Sequence, residues 1–240
     1  MDVNTKFLGK TLWIYLPYQK NIFKFVANRF AQISKCMTVY LKGDFSEQKF
    51  YFEYQAMSLL KSEKDKGYTY ALADEINEDF QYLLNVINRV YFNAKEQPEF
   101  YVIVMADISN GVEFIYTIYN DDLKKAYNNA IASEEYNKRI LRDIRGNLRI
   151  INDMIGRHLT YQEINFSQFL TEQIAQRIRY EFAGADFQVC KMPEEEILKI
   201  FSYVLRTYEF QDFQKITLKN LSTGAQITKM NWELEDFKEF

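Results

Sequence analysis

Two strand-like runs, Phe100–Ile108 and Val112–Tyr119, separated by Ser109-Asn110-Gly111, constrain the fold of this chain most. Asn-Gly accepts the positive φ values of a type I′ turn, whose twist matches that of two antiparallel strands. With Asn110 and Gly111 as the central pair, Asp107 faces Phe114, Met105 faces Tyr116 and Ile103 faces Ile118. The companion set of Ile108, Ala106, Val104 and Val102 is equally apolar. A ribbon with two apolar faces needs cover on both. These are therefore internal strands of a larger sheet, or one face covers a partner.

Outside this hairpin the period changes repeatedly. Thr11–Leu16 (TLWIYL) reads as a strand that stops before Pro17. Ile22, Phe23, Val26, Phe30 and Ile33 recur at three- and four-residue steps and predict a helix over 21–33. Met37–Leu41 and Lys49–Met57 read as strands with Gly43 and Asp44 in their connection. A helix follows over 74–91, with Ile76, Phe80, Leu83, Leu84, Ile87, Val90 and Tyr91 on its apolar face.

From Asp121 to Glu209 the pattern is predominantly helical. Leu141, Ile144, Leu148, Ile151, Ile155 and Leu159 are spaced as the buried edge of a long helix. Thr160–Glu163 fits a capping box that restarts the chain into Phe166–Phe182. Pro193 opens a further helix whose first turn carries Glu194, Glu195 and Glu196, where carboxylates favour the positive end. A second hairpin, Ile216–Asn220 and Ala225–Met230, turns at Ser222-Thr223-Gly224.

This order describes an α+β fold with antiparallel or mixed sheet elements and a predominantly helical segment in the second half. The charged run at 62–66 (SEKDK) divides a βαββ unit, 1–61, from an α+β unit, 68–240, that holds the central hairpin, the long helices and the C-terminal hairpin. The two are also compatible with a single packed domain. Only eight glycines and three prolines in 240 residues fit long regular elements. Eighteen tyrosines and twenty phenylalanines fill a core and also favour contact surfaces.

A formal net charge of -3 gives no general attraction for a polyanion or an acidic membrane. Leu12–Tyr18 is too short for a membrane span, the first residues lack a signal-peptide pattern, and two distant cysteines form no disulfide framework. A cytoplasmic location, away from the membrane, is the expectation.

No Gly-rich dinucleotide fingerprint or phosphate-binding Gly-Lys-Ser/Thr loop is present, so no cofactor is predicted. His158 is the only histidine, which excludes a multi-histidine zinc site. Catalytic or metal chemistry then falls to Glu53 (in YFEYQ), Asp107 and Glu113, a dispersed carboxylate set suited to Mg²⁺ if the three converge. The competing reading makes them turn-edge and exposed-face acids. A sharper charge signal is Lys138, Arg139, Arg142, Arg145 and Arg149. On a helix, Arg142, Arg145 and Arg149 share a face, which suits an acidic protein surface, a phosphate backbone or internal ion pairs. At the C-terminal end, Trp232, Leu234, Phe237 and Phe240 alternate with Glu233, Glu235, Asp236 and Glu239, which fits either packing on the last strand or an aromatic contact segment.

Pro193–Arg206 (PEEEILKIFSYVLR) followed by Phe213–Phe237 (FQKITLKNLSTGAQITKMNWELEDF) resembles the end of the YezG-like intracellular immunity proteins. The shared features are a terminal helix, a hairpin with a Ser-Thr-Gly turn and an acidic, aromatic ending. Phe213 stands where that family carries a tryptophan before the first strand, and the N-terminal region has no counterpart in it. The resemblance implies neutralisation of a toxin by binding, without catalysis.

The expectation is therefore a non-enzymatic protein-binding or regulatory module, immunity-like if the resemblance holds, acting on a protein partner or by self-association. Arg139, Arg142, Arg145, Arg149, Trp232 and Phe237 are its candidate contact residues. The alternatives are a metal-assisted enzyme acting on nucleic acid or phosphate substrates, and a non-catalytic nucleic-acid binder.

Overall fold

The computed structural model describes residues 3–27, 35–60, 68–146, 162–182 and 193–237. In chain order the elements are β1 (Asn4–Leu8), β2 (Thr11–Tyr18), β3 (Phe23–Ala27), β4 (Lys35–Ser46), β5 (Lys49–Leu60), β6 (Tyr68–Leu72), α1 (Asp74–Tyr91), β7 (Phe100–Asp107), β8 (Val112–Tyr119), α2 (Asn120–Tyr127), α3 (Ser133–Arg139), β9 (Leu141–Gly146), α4 (Phe166–Phe182), α5 (Pro193–Thr207), β10 (Lys215–Asn220) and β11 (Gln226–Met230). A 3-10 turn, Asn231–Asp236, follows β11. The sheets are mixed and the fold is α+β.

Two compact units interleave along the chain, one from 1–26 and 69–164, the other from 27–68 and 165–240. The charged run at 62–66 lies outside the described residues, as do Arg149, His158 and Thr160. No helix among the described residues is long and apolar enough to cross a membrane.

The first unit is organised by a sheet in the order β1-β2-β7-β8-β9. Its middle strand, FYVIVMAD, is buried at every position, so this strand of the hairpin is covered on both faces. The β2–β7 pairing is parallel, and β7–β8 and β8–β9 are antiparallel. On one face Ile14, Leu16, Ile103, Met105 and Ile118 meet Ile76, Phe80, Leu83 and Ile87 of α1 in a single core cluster. These helix positions follow the three- and four-residue steps of the sequence pattern. Each such side chain, fully buried, contributes about 1.5–3 kcal/mol. Phe80 stacks on Tyr116 with centroids 4.3 Å apart. Val90, at 56% exposure, falls outside this face.

The register of the hairpin differs from the two-residue turn expected from Asn-Gly. Asp107 pairs with Val112, Met105 with Phe114 and Ile103 with Tyr116. The reason is a longer loop. Gly111 N donates to Asp107 O at 2.9 Å, and Gly111 takes φ +67°. The Asp107 carboxylate accepts from Asn110 N at 2.8 Å and from Asn110 Nδ2 at 2.7 Å. Because the slip is two residues, every side chain keeps its face.

Three further expectations are corrected. Pro17 lies inside β2 instead of ending it: among the described residues β1 pairs with Thr11–Tyr15 and none is paired with Pro17 on that side, so no described ladder bond is lost there. The described part of the helix predicted over 21–33 is the strand β3, paired with β6. Pairing with β6 overrides the local helical period there. The predicted long helix beginning at Leu141 is, over Leu141–Gly146, the strand β9. The i, i+3 pair Leu141 and Ile144 fits a helix, but β8 gains its outer neighbour from this segment, with Ile144 opposite Phe114.

In the second unit the sheet runs β11-β10-β5-β4, with β5–β10 parallel and its other pairs antiparallel. Phe50, Phe52, Ile216 and Leu218 are buried on its inner face. Buried residues of α4 (Phe169, Leu170, Ile174, Ile178) and α5 (Ile197, Ile200, Phe201, Val204) complete the unit's core. Phe201 meets Phe52 edge-on at 4.8 Å and Phe50 at 6.1 Å. The β4–β5 turn is Glu47-Gln48, both at positive φ (49° and 57°), whereas Gly43-Asp44, expected in the connection, lies within β4. The cap of α4 is Asn165, whose Oδ1 accepts from Gln168 N at 2.7 Å. Glu163, expected in a capping box, accepts instead from Lys10 N at 2.9 Å.

Glu194, in the first turn of α5, ties the helix to the sheet. Its carboxylate accepts from the Tyr54 hydroxyl, and Asn220 Nδ2 lies 3.1 Å from that hydroxyl. Burial alone would push the Glu194 carboxyl up, but bonds from Tyr54, its own amide and Asn220 hold it below its ordinary value of 4.5. The stability this contributes is complete above the unfolded value and is lost as pH falls through the lower folded value. Tyr54→Phe removes one donor, so the wild-type advantage over this variant should shrink on acidification. Urea midpoints across about pH 3–7 test this. An advantage that grows toward low pH would contradict the assignment.

Candidate functional site

The structure distributes the sequence-chosen acids between the two units. Glu53 belongs to the second, where it accepts from Lys219 Nζ and the Tyr51 hydroxyl, each at 3.0 Å. Lys219 and Tyr51 hold its carboxyl below the usual range. Asp107 and Glu113 belong to the first unit. Asp107 is 1% exposed, and both its oxygens serve the hairpin loop. Glu113 lies opposite Ala106 on one side and Arg145 on the other. Burial, and then the charge of Glu113, push the Tyr15 hydroxyl up.

Asp107, Glu113 and Arg145 thus line one shallow depression with Tyr15. With Asp107 occupied by its own turn, this depression does not offer two carboxylates for acid–base work. Among the described residues, no group of three or more His, Cys, Asp or Glu could hold a metal ion.

The basic stripe is broken up by the strand that replaces the helix. Arg139, the last residue of α3, is buried: its Nη1 lies 2.8 Å from Asp122 Oδ1 and its Nε 2.7 Å from Glu135 Oε1. Arg142 and Arg145 are three apart on β9, and an odd spacing on a strand sends side chains to opposite faces. The Arg142 guanidinium sits 5.8 Å from the Tyr116 ring centroid, and its Nη2 is 3.3 Å from Asn137 Oδ1. Arg145 Nε is 3.7 Å from Asp143 Oδ2. These arginines form no common contact face.

The C-terminal aromatic segment is arranged differently. In a 3-10 turn, residues three apart eclipse one another. Leu234 is 5% exposed, and its carbonyl accepts from the Ser202 hydroxyl of α5 at 3.1 Å. Phe237, three residues on, is half-buried, and its N donates to Leu234 O at 3.1 Å. Asn231 N donates to Gln214 O at 3.0 Å. Glu233 reaches back to Met230 N at 2.7 Å and pairs with Lys229 at 3.2 Å, and these contacts hold its carboxyl down. The turn is therefore fixed at both ends and at its inner face. Trp232 is left 65% exposed beside β11, the outer strand of the sheet.

Comparison with family models, curated proteins and solved structures finds no match to this chain.

The Trp232 turn is the site the geometry supports best, since an exposed tryptophan on a fixed support is unusual and suits an interface. Its tryptophan is apparent in the sequence. What sequence reasoning missed is which acids share its side: a spacing of three, not alternation, groups Trp232 with Glu235.

Proposed function

We propose that this chain is a non-catalytic protein-binding module of the cytoplasm whose contact point is the Trp232 turn. The supporting observation is the 65% exposure of Trp232 on a turn anchored by Leu234, Ser202 and Glu233. A rigid aromatic presented this way binds with little ordering cost. The cytoplasmic placement rests on composition, with only two cysteines in 240 residues. A carboxylate-metal enzyme has less support, since Asp107 is committed to its loop. A basic nucleic-acid surface has less because Arg139 is buried and Arg142 and Arg145 diverge.

The test is recovery of a stoichiometric partner from cells at near-native expression, then reconstitution with both proteins purified. Trp232→Ala should weaken the reconstituted complex by at least about thirtyfold, the effect of losing a hot-spot aromatic of about 2 kcal/mol. The urea midpoint should stay unchanged, because an exposed side chain adds little to stability. Sedimentation of the purified chain covers the case in which the partner is a second copy. A complex indifferent to Trp232→Ala, or a chain with neither a partner nor self-association, would overturn the reading.

A further inference from the structure

We infer that Asn110 is a succinimide-forming modification site that the folded hairpin holds shut, with Asp107 as its latch. The inference is independent of the Trp232 turn. Asn110-Gly111 is the only Asn-Gly pair in the sequence, and both residues are exposed in the β7–β8 loop. Glycine has no Cβ, so its amide nitrogen is open to close approach by the preceding side chain.

The chemistry needs only water. Gly111 N gives its proton to solvent hydroxide and bonds to Asn110 Cγ, and the Cγ–Nδ2 bond breaks. Ammonia leaves with a proton taken from water. A further water opens the resulting cyclic imide at either carbonyl, which yields aspartate or isoaspartate. The net change is water consumed and ammonia released.

The folded loop opposes each part of this step. Gly111 N donates to Asp107 O at 2.9 Å, so the proton that must leave is held. Asn110 Nδ2 donates to Asp107 Oδ2 at 2.7 Å, and Asn110 N donates to Asp107 Oδ1 at 2.8 Å. A carboxylate only accepts, so the amide nitrogen of Asn110, not its oxygen, faces Asp107. Asp107 is 1% exposed and belongs to β7, which anchors the latch in the sheet. Attack therefore requires these bonds to open. The product does not close again. A carboxylate at position 110 would meet that of Asp107 where the Nδ2 donor stood, and like charges in contact repel. Isoaspartate also lengthens the main chain beside Gly146, where a Cβ would already lie 2.2 Å from Gly111 O.

The test is incubation of the full chain at mildly alkaline pH, folded and in urea, with mass spectrometry of the peptide that holds Asn110. Conversion in urea should run at least about tenfold faster than in the fold, where it waits on local opening of a bonded loop. Deuterium exchange at Gly111 N–H should be slowed by a similar factor despite the loop's exposure, because one opening admits both reactions. Asp107→Asn keeps the volume but loses the charged acceptor for Nδ2, so conversion of the folded variant should speed up by about tenfold. Its urea midpoint, taken first, shows that it is folded, and the exchange measurement on the wild-type chain stands without it. Equal conversion in the fold and in urea, no conversion in urea, or free exchange at Gly111 would overturn the inference. So would a folded Asp107→Asn chain that converts at the wild-type rate.

Discussion

Replacing Arg139 by methionine is expected to destabilise the first unit by about 3–5 kcal/mol, the usual result of stripping one member from a buried ion pair. The arginine and Asp122 side chains are only 9% and 2% exposed, and their contact is 2.8 Å. Methionine fills much of the space of the arginine stem, so lost packing accounts for little of the effect. The cost comes from Asp122, whose carboxylate would remain buried without its cation. Glu135, the second partner, has a 23% exposed side chain and can turn toward water. Removing Asp122 as well should restore much of the loss, because the charge needing compensation is then gone. Some deficit would persist, since Asp122 also lies in the first turn of α2, where a carboxylate favours the helix. Urea unfolding followed through Trp13 emission measures all three variants as a double-mutant cycle. A loss under about 1 kcal/mol for Arg139→Met would show that the pair does not hold α2 to α3.

The same arginine illustrates what was legible in the sequence. Elements whose pattern is set by their own burial were legible as elements: α1, the β7–β8 hairpin and the β10–β11 hairpin follow their local periods, although the β7–β8 register is two residues off the expected one. Elements decided by a distant neighbour did not. Leu141 and Ile144 satisfy a helical spacing, yet β8 takes this segment as its outer strand. That single change sends Arg142 and Arg145 to opposite faces and so parts two members of the expected basic stripe. Arg139 precedes the strand, and its pairing with Asp122 depends on how α2 and α3 pack. The parallel pairs β2–β7 and β5–β10 join segments far apart in the chain, and no local period announces them. Within the candidate site, Trp232 was visible as a residue. Its exposure was not, because that follows from Leu234 being buried and Glu233 being drawn back to Met230.

Gly43 is a second position whose meaning depends on distant contacts, and Gly43→Ala is expected to destabilise the second unit by about 1–3 kcal/mol. In sequence it resembles a turn residue, but in the fold it sits within β4 directly opposite Phe52 of β5. A Cβ here would lie 2.4 Å from Phe52 Cε1 and 2.8 Å from Thr171 Cγ2 of α4. Neither neighbour has room to yield. Phe52 is fully buried and held edge-on against Phe201 at 4.8 Å, and the Thr171 hydroxyl donates to Ser167 O at 2.8 Å. The glycine is thus a slot through which the Phe52 ring and α4 approach the strand. Overpacking by one methyl group must shift the ring, the helix or the strand pairing. Phe52→Leu opens space at the same point and should carry its own cavity cost. The two changes together should cost less than the sum of their separate losses, because the smaller side chain admits the new methyl. Strict additivity in urea unfolding, or a neutral Gly43→Ala, would locate the constraint elsewhere.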